Sequence, residues 1–217
     1  MGNNRRDGIR EKRTERRNRK EPKLGYYLIV TDTKGTERVY FNGLRDSLTK
    51  DDRDYLVIKV DETDNKKLVD RALEFQSKFP QYARPCIAFD KDQLTNFDTI
   101  IEEAKSKGIF VAWSNPCLEV WLHAYYDEIP SVYDSVKCCN KFGIEFEKNT
   151  GQKYDKADED LYKKICRKGN EENAISRAEN RLKKFERDGV TTPSKMVPCT
   201  TVHILVKEIR DCLKKEE

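Results

Sequence analysis

Acidic side chains stand where predicted strands give way to turns or helices, and acids in such places can bind metal ions or move protons. Asp32 and Glu37 follow the first apolar run, in the segment YLIVTDTKGTERVYF. Asp90 and Asp92 follow a later run, in IAFDKD, and Glu119 follows another, in SNPCLEVWL. In a parallel α/β sheet, ligands bind at the carboxyl ends of the strands. We therefore expect these carboxylates to meet at one edge of a sheet.

The turn after the first apolar run has three interpretations: a phosphate-binding loop, an acid that serves metal chemistry, or a connector. A P-loop requires GxxxxGK[ST] and a dinucleotide-binding turn requires GxGxxG, whereas TDTKGTE has the single glycine Gly35. The phosphate loop is therefore disfavoured. Asp90 and Asp92 strengthen the metal interpretation, because an acid pair at a strand end supplies the oxygen ligands that Mg²⁺ prefers.

Strands and helices are predicted to alternate between residues 24 and 127. The predicted strands are LGYYLIVT, DYLVIKV, PCIAFD and IFVAW, and the predicted helices are TERVYFNGLRDSL, NKKLVDRALEFQSKF and FDTIIEEAKSKG. A further helix is expected after the fourth strand, with Asn115 as its cap and Pro116 at its first position. This order predicts an α/β fold with a mainly parallel sheet flanked by helices.

The chain divides by composition into three parts. Residues 1–23 hold ten Lys or Arg and four Asp or Glu, and we expect a basic flexible arm because they contain too little apolar surface to form a core. Residues 24–127 form the α/β core. Residues 128–217 are predicted to form a helical extension packed on it, from DEDLYKKICRKG, NEENAISRAENRLKKFERDG and TVHILVKEIRDCLKK. The arm is interpreted either as a solubilising tail or as a contact to a phosphate backbone.

The overall composition favours a globular protein of the cytoplasm. Hydrophobic residues make up 36% and charged residues 38% of the 217 positions, and no apolar run is long enough to cross a membrane. The first residues lack the apolar stretch of a secretory signal. Seven cysteines without a CxxC pair indicate reduced thiols, and with two histidines in the chain they argue against a zinc site.

Four motifs, taken in order, resemble the RloB-like family, whose core resembles the Toprim fold. IVTDTKGTERVYF stands where the family has a strand, EGEKTE and an aromatic pair, and FDKD resembles its acidic pair at a strand end. SNPCLEVWL resembles its Ser-Asn-Pro motif, and PCTTVHILVKEI its Pro-Ser-Thr-Thr-Val-His segment. The likeness covers residues 26–213.

The resemblance implies metal-dependent phosphodiester chemistry with Mg²⁺ or Mn²⁺, in an anti-phage abortive-infection system that includes an AAA-type ATPase. It assigns Asp90 and Asp92 to the metal, with Glu119 either as a further metal ligand or as a residue that fixes the Asn115 turn. It assigns Asp32 and Glu37 to acid–base catalysis. The leading glutamate of the family is replaced by Asp32, which is one methylene shorter. General acid–base catalysis tolerates little misplacement, so this replacement bears on whether the chain is catalytic.

Other polar residues of the same motifs are predicted to contact substrate. These are Lys34, Lys91, Ser114, Asn115 and His203. For His203, at the start of the last helix, capping is the alternative. His123 is expected to pair with Glu119, one helical turn before it.

Two functions fit these observations. The first is a Mg²⁺-dependent nuclease that cleaves DNA or RNA, tRNA included, and works with the ATPase. The second is a catalytically degenerate subunit of such a system, which binds nucleic acid or the ATPase. Neither involves a membrane, and both are compatible with a homo-oligomer. A topoisomerase or primase is disfavoured because no separate strand-passage domain is visible.

Deletion of residues 1–23 distinguishes the two interpretations of the arm. If the arm contacts phosphates, the deletion should weaken nucleic-acid binding and reduce the slope of log K against log salt by about 0.9 per lost contact. Fluorescence anisotropy with labelled DNA and RNA at several salt concentrations measures both quantities. An unchanged slope would identify a solubilising tail.

Overall fold

The computed structural model describes residues 25–32, 35–64, 67–80 and 84–214. The strands are β1 (Gly25–Asp32), β2 (Leu56–Thr63), β3 (Arg84–Asp90), β4 (Phe110–Asn115) and β5 (Cys199–Thr200). The helices are α1 (Thr36–Asp46), α2 (Lys50–Tyr55), α3 (Leu68–Lys78), α4 (Phe97–Ser106), α5 (Glu119–Ala124), α6 (Ser135–Thr150), α7 (Leu161–Lys168), α8 (Glu171–Arg187) and α9 (Val202–Lys214), with a short 3₁₀ turn at Pro193–Lys195. The predicted basic arm lies outside the described residues.

The five strands form one sheet in the order β2-β1-β3-β4-β5. The first four are parallel, so the carboxyl ends of β1, β3 and β4 lie at one edge, and Asp90 is in register with Ser114. β5 runs antiparallel to β4 and places Thr200 opposite Ser114. The predicted mainly parallel sheet flanked by helices is therefore confirmed.

The sheet separates two apolar cores, because successive side chains of a strand point to opposite faces. Tyr27 and Ile29 of β1 belong to the larger core, which includes buried residues of α1 and α5–α9. Leu28 and Val30 belong to the second core, with buried residues of α3 and α4. Both faces of the parallel strands are thus covered, as their continuous apolar sequence predicts.

Three helical details differ from the prediction, and the first is the short helix α2 (Lys50–Tyr55), which was not predicted. The helix after β4 begins at Glu119, and Asn115 is the last residue of β4 instead of a helix cap. The Asn115 amide donates to the carbonyl oxygens of Pro193 and Ser194, both at 3.1 Å, so it is committed to a tertiary contact. The prediction also missed α6 (Ser135–Thr150), which is capped by Asp134 at its start and by Gly151 at its end.

The segment after residue 127 does more than cover the core. It provides β5, which extends the sheet, as well as helices α6–α9. The Oγ atoms of Ser114 and Thr200 are 2.9 Å apart in the interior. The division at residue 127 stays a prediction, and the two segments share one sheet. None of the described helices combines the length and the apolar character that crossing a membrane requires.

Gly43 allows α1 and α7 to pack closely. A Cβ added at Gly43 would lie 2.3 Å from the Cβ of Tyr162. We expect Gly43→Ala to lower the free energy of unfolding by about 1–3 kcal/mol, because the two helices would have to separate. Urea unfolding followed by circular dichroism measures the change.

Gly143→Ala is the matched control, since a Cβ at this position in α6 would meet its nearest atom at an ordinary 3.8 Å. It should raise stability by about 0.5–1 kcal/mol, because glycine is unfavourable inside a helix. Equal effects of the two substitutions would contradict the close packing of α1 on α7.

Candidate functional site

The carboxyl edge of the sheet brings Asp90 and Glu37 together. Asp90 ends β3, and Glu37 lies in the first turn of α1, the helix that follows β1. Glu37 is 4% exposed, and its carboxyl group hydrogen bonds with that of Asp90. The strand-end rule predicts this meeting, because both residues follow parallel strands that are neighbours in the sheet.

Asp90 is surrounded by more negative than positive charge. Burial, followed by the charges of Glu119 and Asp92, raises its pKa from 3.8 to about 7, while Lys156 and the hydrogen bond with Glu37 act in the opposite direction. At neutral pH this carboxyl group is therefore close to half protonated. Such a raised pKa is typical of functional sites, where like charges are held together.

Glu119 is fully buried and has two partners on one oxygen. Its Oε1 accepts a hydrogen bond from the Tyr154 hydroxyl at 2.7 Å and lies 3.0 Å from the Lys156 ammonium. Burial opposes ionisation of Glu119, but Lys156 and hydrogen bonds from Cys117 and Tyr154 outweigh it, so the pKa lies below its usual value. Within the described part of the chain, Oε2 has no hydrogen-bond partner.

The Asp92 carboxylate is hydrogen bonded to the first residue of α6. It is exposed, and its Oδ1 accepts a hydrogen bond from the Ser135 hydroxyl at 2.7 Å, at the start of α6. Its backbone has a φ of 30°, a region that aspartate tolerates better than most residues, and its amide donates to Pro116 at 2.9 Å. The charge of Asp92 still acts on Asp90, but its carboxylate is held by α6.

Three of the predicted substrate-contact residues form contacts inside the protein. Ser114 contacts Thr200, and Asn115 donates to the 3₁₀ turn, so both hold the C-terminal segment against β4. His203 is 2% exposed, and its Nδ1 lies 3.1 Å from the Thr200 carbonyl oxygen. Burial lowers the pKa of His203 to about 4, so the ring is neutral at physiological pH. Their contact with substrate stays a prediction.

The remaining predicted residues are only partly placed. Lys91 follows β3, and its amide donates to the Ser114 carbonyl oxygen at 2.8 Å. Asp32 ends β1, but its side chain and the whole of Lys34 lie outside the described residues. The predicted catalytic role of Asp32 therefore stays a prediction.

The expected ion pair between His123 and Glu119 is wrong. The Glu119 carboxylate is taken by Tyr154 and Lys156, and the acids that act on the His123 ring are Glu145 and Asp127. Burial lowers the pKa of His123. The i, i+4 spacing on a helix brings side chains near each other, but a stronger cation from another segment decides the pairing.

Sequence reasoning missed Tyr154 and Lys156, which complete the site. Both lie in the polar segment between α6 and α7, and Lys156 keeps 54% of its side chain exposed while its ammonium reaches buried Glu119. This segment has no periodic pattern and follows no strand, so the strand-end rule cannot find it. The Glu119 charge holds the pKa of Lys156 above its usual value, although partial burial acts in the opposite direction.

The carboxyl edge of the sheet offers oxygen donors to a cation. Glu37, Asp90 and Glu119 are oxygen donors, and the unpaired Oε2 of Glu119 is a buried acceptor that a cation would satisfy. The predicted set of Asp90, Asp92 and Glu119 does not converge as tightly as expected. Among the described residues, three metal-ligating atoms come within 4.8 Å of one another at Cys117, Glu119 and Cys139.

Asp90→Asn tests the electrostatics of this site. The folded-state pKa of Asp90 lies above its unfolded value, so its ionisation destabilises the fold as pH rises from about 4 to about 7. The amide cannot ionise, and we expect it to raise the unfolding free energy by up to about 4 kcal/mol at pH 8 and little at pH 4. Urea titrations at both pH values measure this.

Asp211→Asn, at an exposed position of α9, is the control and should change stability by less than about 0.5 kcal/mol at either pH. A stability gain in Asp90→Asn that is the same at pH 4 and pH 8 would contradict the raised pKa.

The comparisons with known proteins bear on the same segment of chain. A model of the family described as RloB-like protein matches residues 27–209, which include every acid of the site. No curated protein and no solved structure matches the chain. The family match covers most of the sequence, and the chain belongs to the RloB-like family.

Proposed function

We propose that the carboxyl edge of the sheet binds Mg²⁺ or Mn²⁺ and that the protein is a nuclease-type effector that cleaves phosphodiester bonds in DNA or RNA. The observation that carries this proposal is the meeting of buried Glu37, buried Glu119 and half-buried Asp90 at one place, with Lys156 as the cation from the neighbouring segment. Burying several carboxylates is costly unless positive charge compensates them. A bound divalent cation supplies that charge.

The chemistry follows from these residues. A cation held by Asp90 and Glu119 would polarise a phosphoryl oxygen and activate water. Asp90 is half protonated near neutral pH, so it can exchange a proton in the range where general acid–base catalysis works best. Glu37, hydrogen bonded to Asp90, sets the position of that proton.

A groove that a nucleic-acid strand could enter lies beside Tyr154 and Lys156, the two partners of Glu119. It has a volume of about 710 Å³ and is lined by Lys153, Tyr154 and Lys156, among others. Lys156 is mostly exposed, so its ammonium can leave Glu119 and contact a phosphate when a cation takes its place. The neighbouring Tyr154 supports Glu119 through its hydroxyl.

The wider setting rests on the family to which the chain belongs. The resemblance implies work with an AAA-type ATPase in an anti-phage abortive-infection system. Substitutions in the catalytic centre should abolish metal-dependent cleavage and leave ATPase binding intact. Substitutions in the partner surface should do the reverse.

A second candidate function is a catalytically degenerate subunit that binds nucleic acid or the ATPase. It is favoured because two of the acids already have partners within the protein. Lys156 and Tyr154 contact one oxygen of Glu119, and Ser135 donates a hydrogen bond to Asp92. An internal ammonium can compensate the carboxylates without any metal. The two functions differ in whether the edge binds Mn²⁺.

Asp90→Asn and Glu37→Gln test the proposal. If the edge binds the cation, we expect each substitution to weaken Mn²⁺ binding by at least about tenfold and to abolish cleavage, because each removes a charged oxygen ligand or its partner. Electron paramagnetic resonance measures free Mn²⁺, and cleavage is measured on plasmid DNA and tRNA with the ATPase present.

Asp211→Asn is the control and should leave both quantities unchanged, since the residue is exposed on α9. Absence of Mn²⁺ binding to the unsubstituted protein would reject the nuclease. Nucleic-acid binding that persists in that case would support the second function.

A further inference from the structure

Two cysteines that are far apart in the sequence meet beside Glu119. Cys117 precedes α5, and Cys139 lies in α6, 22 positions further along the chain. We propose that Cys117, Cys139 and Glu119 bind a thiophilic divalent cation of the zinc type, with water as a fourth ligand. This site shares Glu119 with the Asp90 cluster and differs from it in its two sulfur ligands.

The spacing of the sulfur atoms fits a shared metal. The two Sγ atoms are 4.0 Å apart, and the ligand atoms of all three residues lie within 4.8 Å of one another. Two thiolates at about 2.3 Å from one tetrahedral zinc are about 3.8 Å apart. A cation can therefore enter with a shift of a few tenths of an ångström, whereas a disulfide requires the atoms to approach to about 2.05 Å.

Glu119 provides an independent indication of a ligand. It is fully buried, and its Oε2 lacks a hydrogen-bond partner among the residues that the structure describes. A buried carboxylate oxygen without a partner costs free energy. A cation beside the two sulfurs would satisfy it while Oε1 keeps the hydrogen bond from Tyr154.

The third observation is access from solvent. Cys139 is half-buried and lines the same groove as Lys156, so a cation can reach the sulfurs without opening the core. Its entry has to displace the Lys156 ammonium, which also interacts with Cys139. The lysine side chain is 54% exposed and can turn towards water. Both thiols lose their protons to solvent on binding, so affinity rises with pH.

The donor set distinguishes this cation from that of the proposed nuclease. Thiolates select zinc-type metals, whereas Mg²⁺ requires oxygen ligands. The sequence gives no sign of a zinc site, because it contains no CxxC pair and only two histidines. In the structure, the two sulfur ligands come from separate segments, Cys117 before α5 and Cys139 in α6, so no short sequence motif reveals them.

Cobalt(II) is the probe, because cobalt–thiolate bonds absorb light and zinc replaces cobalt at tetrahedral sites. The reduced full-length protein is titrated with Co²⁺ in a buffer without Mg²⁺, because Mg²⁺ would compete for Glu119. We expect a sulfur-to-cobalt charge-transfer band that saturates at one equivalent and disappears on addition of Zn²⁺. No such band in the unsubstituted protein would overturn the proposal.

Cys139→Ser is the main variant, because its side chain is half-buried and its loss leaves the core intact. We expect it to reduce the band and weaken binding by at least about 100-fold, since even outer-shell changes cost about 10–100-fold. Cys117→Ser should act in the same way. Cys166→Ser, at an exposed cysteine of α7, is the matched control and should keep both the band and the affinity. A band that survives Cys139→Ser would overturn the assignment.

Lys156→Met provides a test in the opposite direction. Removal of the competing ammonium should tighten Co²⁺ binding by at least about tenfold. Lys153→Met, which changes a lysine of the same groove, is the control and should have little effect. Weaker binding in Lys156→Met would contradict competition for Glu119.

Asp90→Asn separates this proposal from the proposed nuclease. It should leave the cobalt band in place even where it abolishes Mn²⁺ binding. Loss of the cobalt band in Asp90→Asn would place the metal in the carboxylate cluster instead and overturn the thiolate site.

Discussion

Glu119 carries its charge on a fully buried side chain, and its neighbours are arranged to compensate that charge. Its neighbours on α5 are buried all round, so the helix itself provides no solvent for the carboxylate. The compensation comes from Tyr154 and Lys156, which arrive on a different segment. A buried charge is stable only when it is paired and hydrogen bonded, and here the pairing fixes the segment between α6 and α7 over the sheet edge.

Polar side chains at the end of β4 stabilise the fold. Ser114 and Asn115 resemble ligand-binding residues by their position at a strand end, yet they bond to Thr200 and to the 3₁₀ turn. They join β4 to the C-terminal segment while Asp90, on the neighbouring strand, remains at the site. The end of β4 therefore holds the C-terminal segment in place, and the end of the adjacent β3 provides an acid of the candidate site.

Much of the fold could be predicted because its physical signals are local. The alternation of apolar strands and amphipathic helices gave the parallel sheet, and the strand-end rule brought Glu37 and Asp90 together. β5 was missed because two residues carry no periodicity, and α6 because its apolar residues are sparse between lysines and glutamates. Lys156 was missed for another reason: an exposed lysine gives no sign of the buried acid it reaches.

The antiparallel β5 has a consequence for the order in which the chain acquires its structure. Ser114 meets Thr200 across 86 positions of sequence, so during synthesis the edge of β4 stays open until the last helix begins to emerge. An unpaired edge strand is a template for wrong partners. The β4 edge is therefore open to other chains for as long as helices α5–α8 are being made.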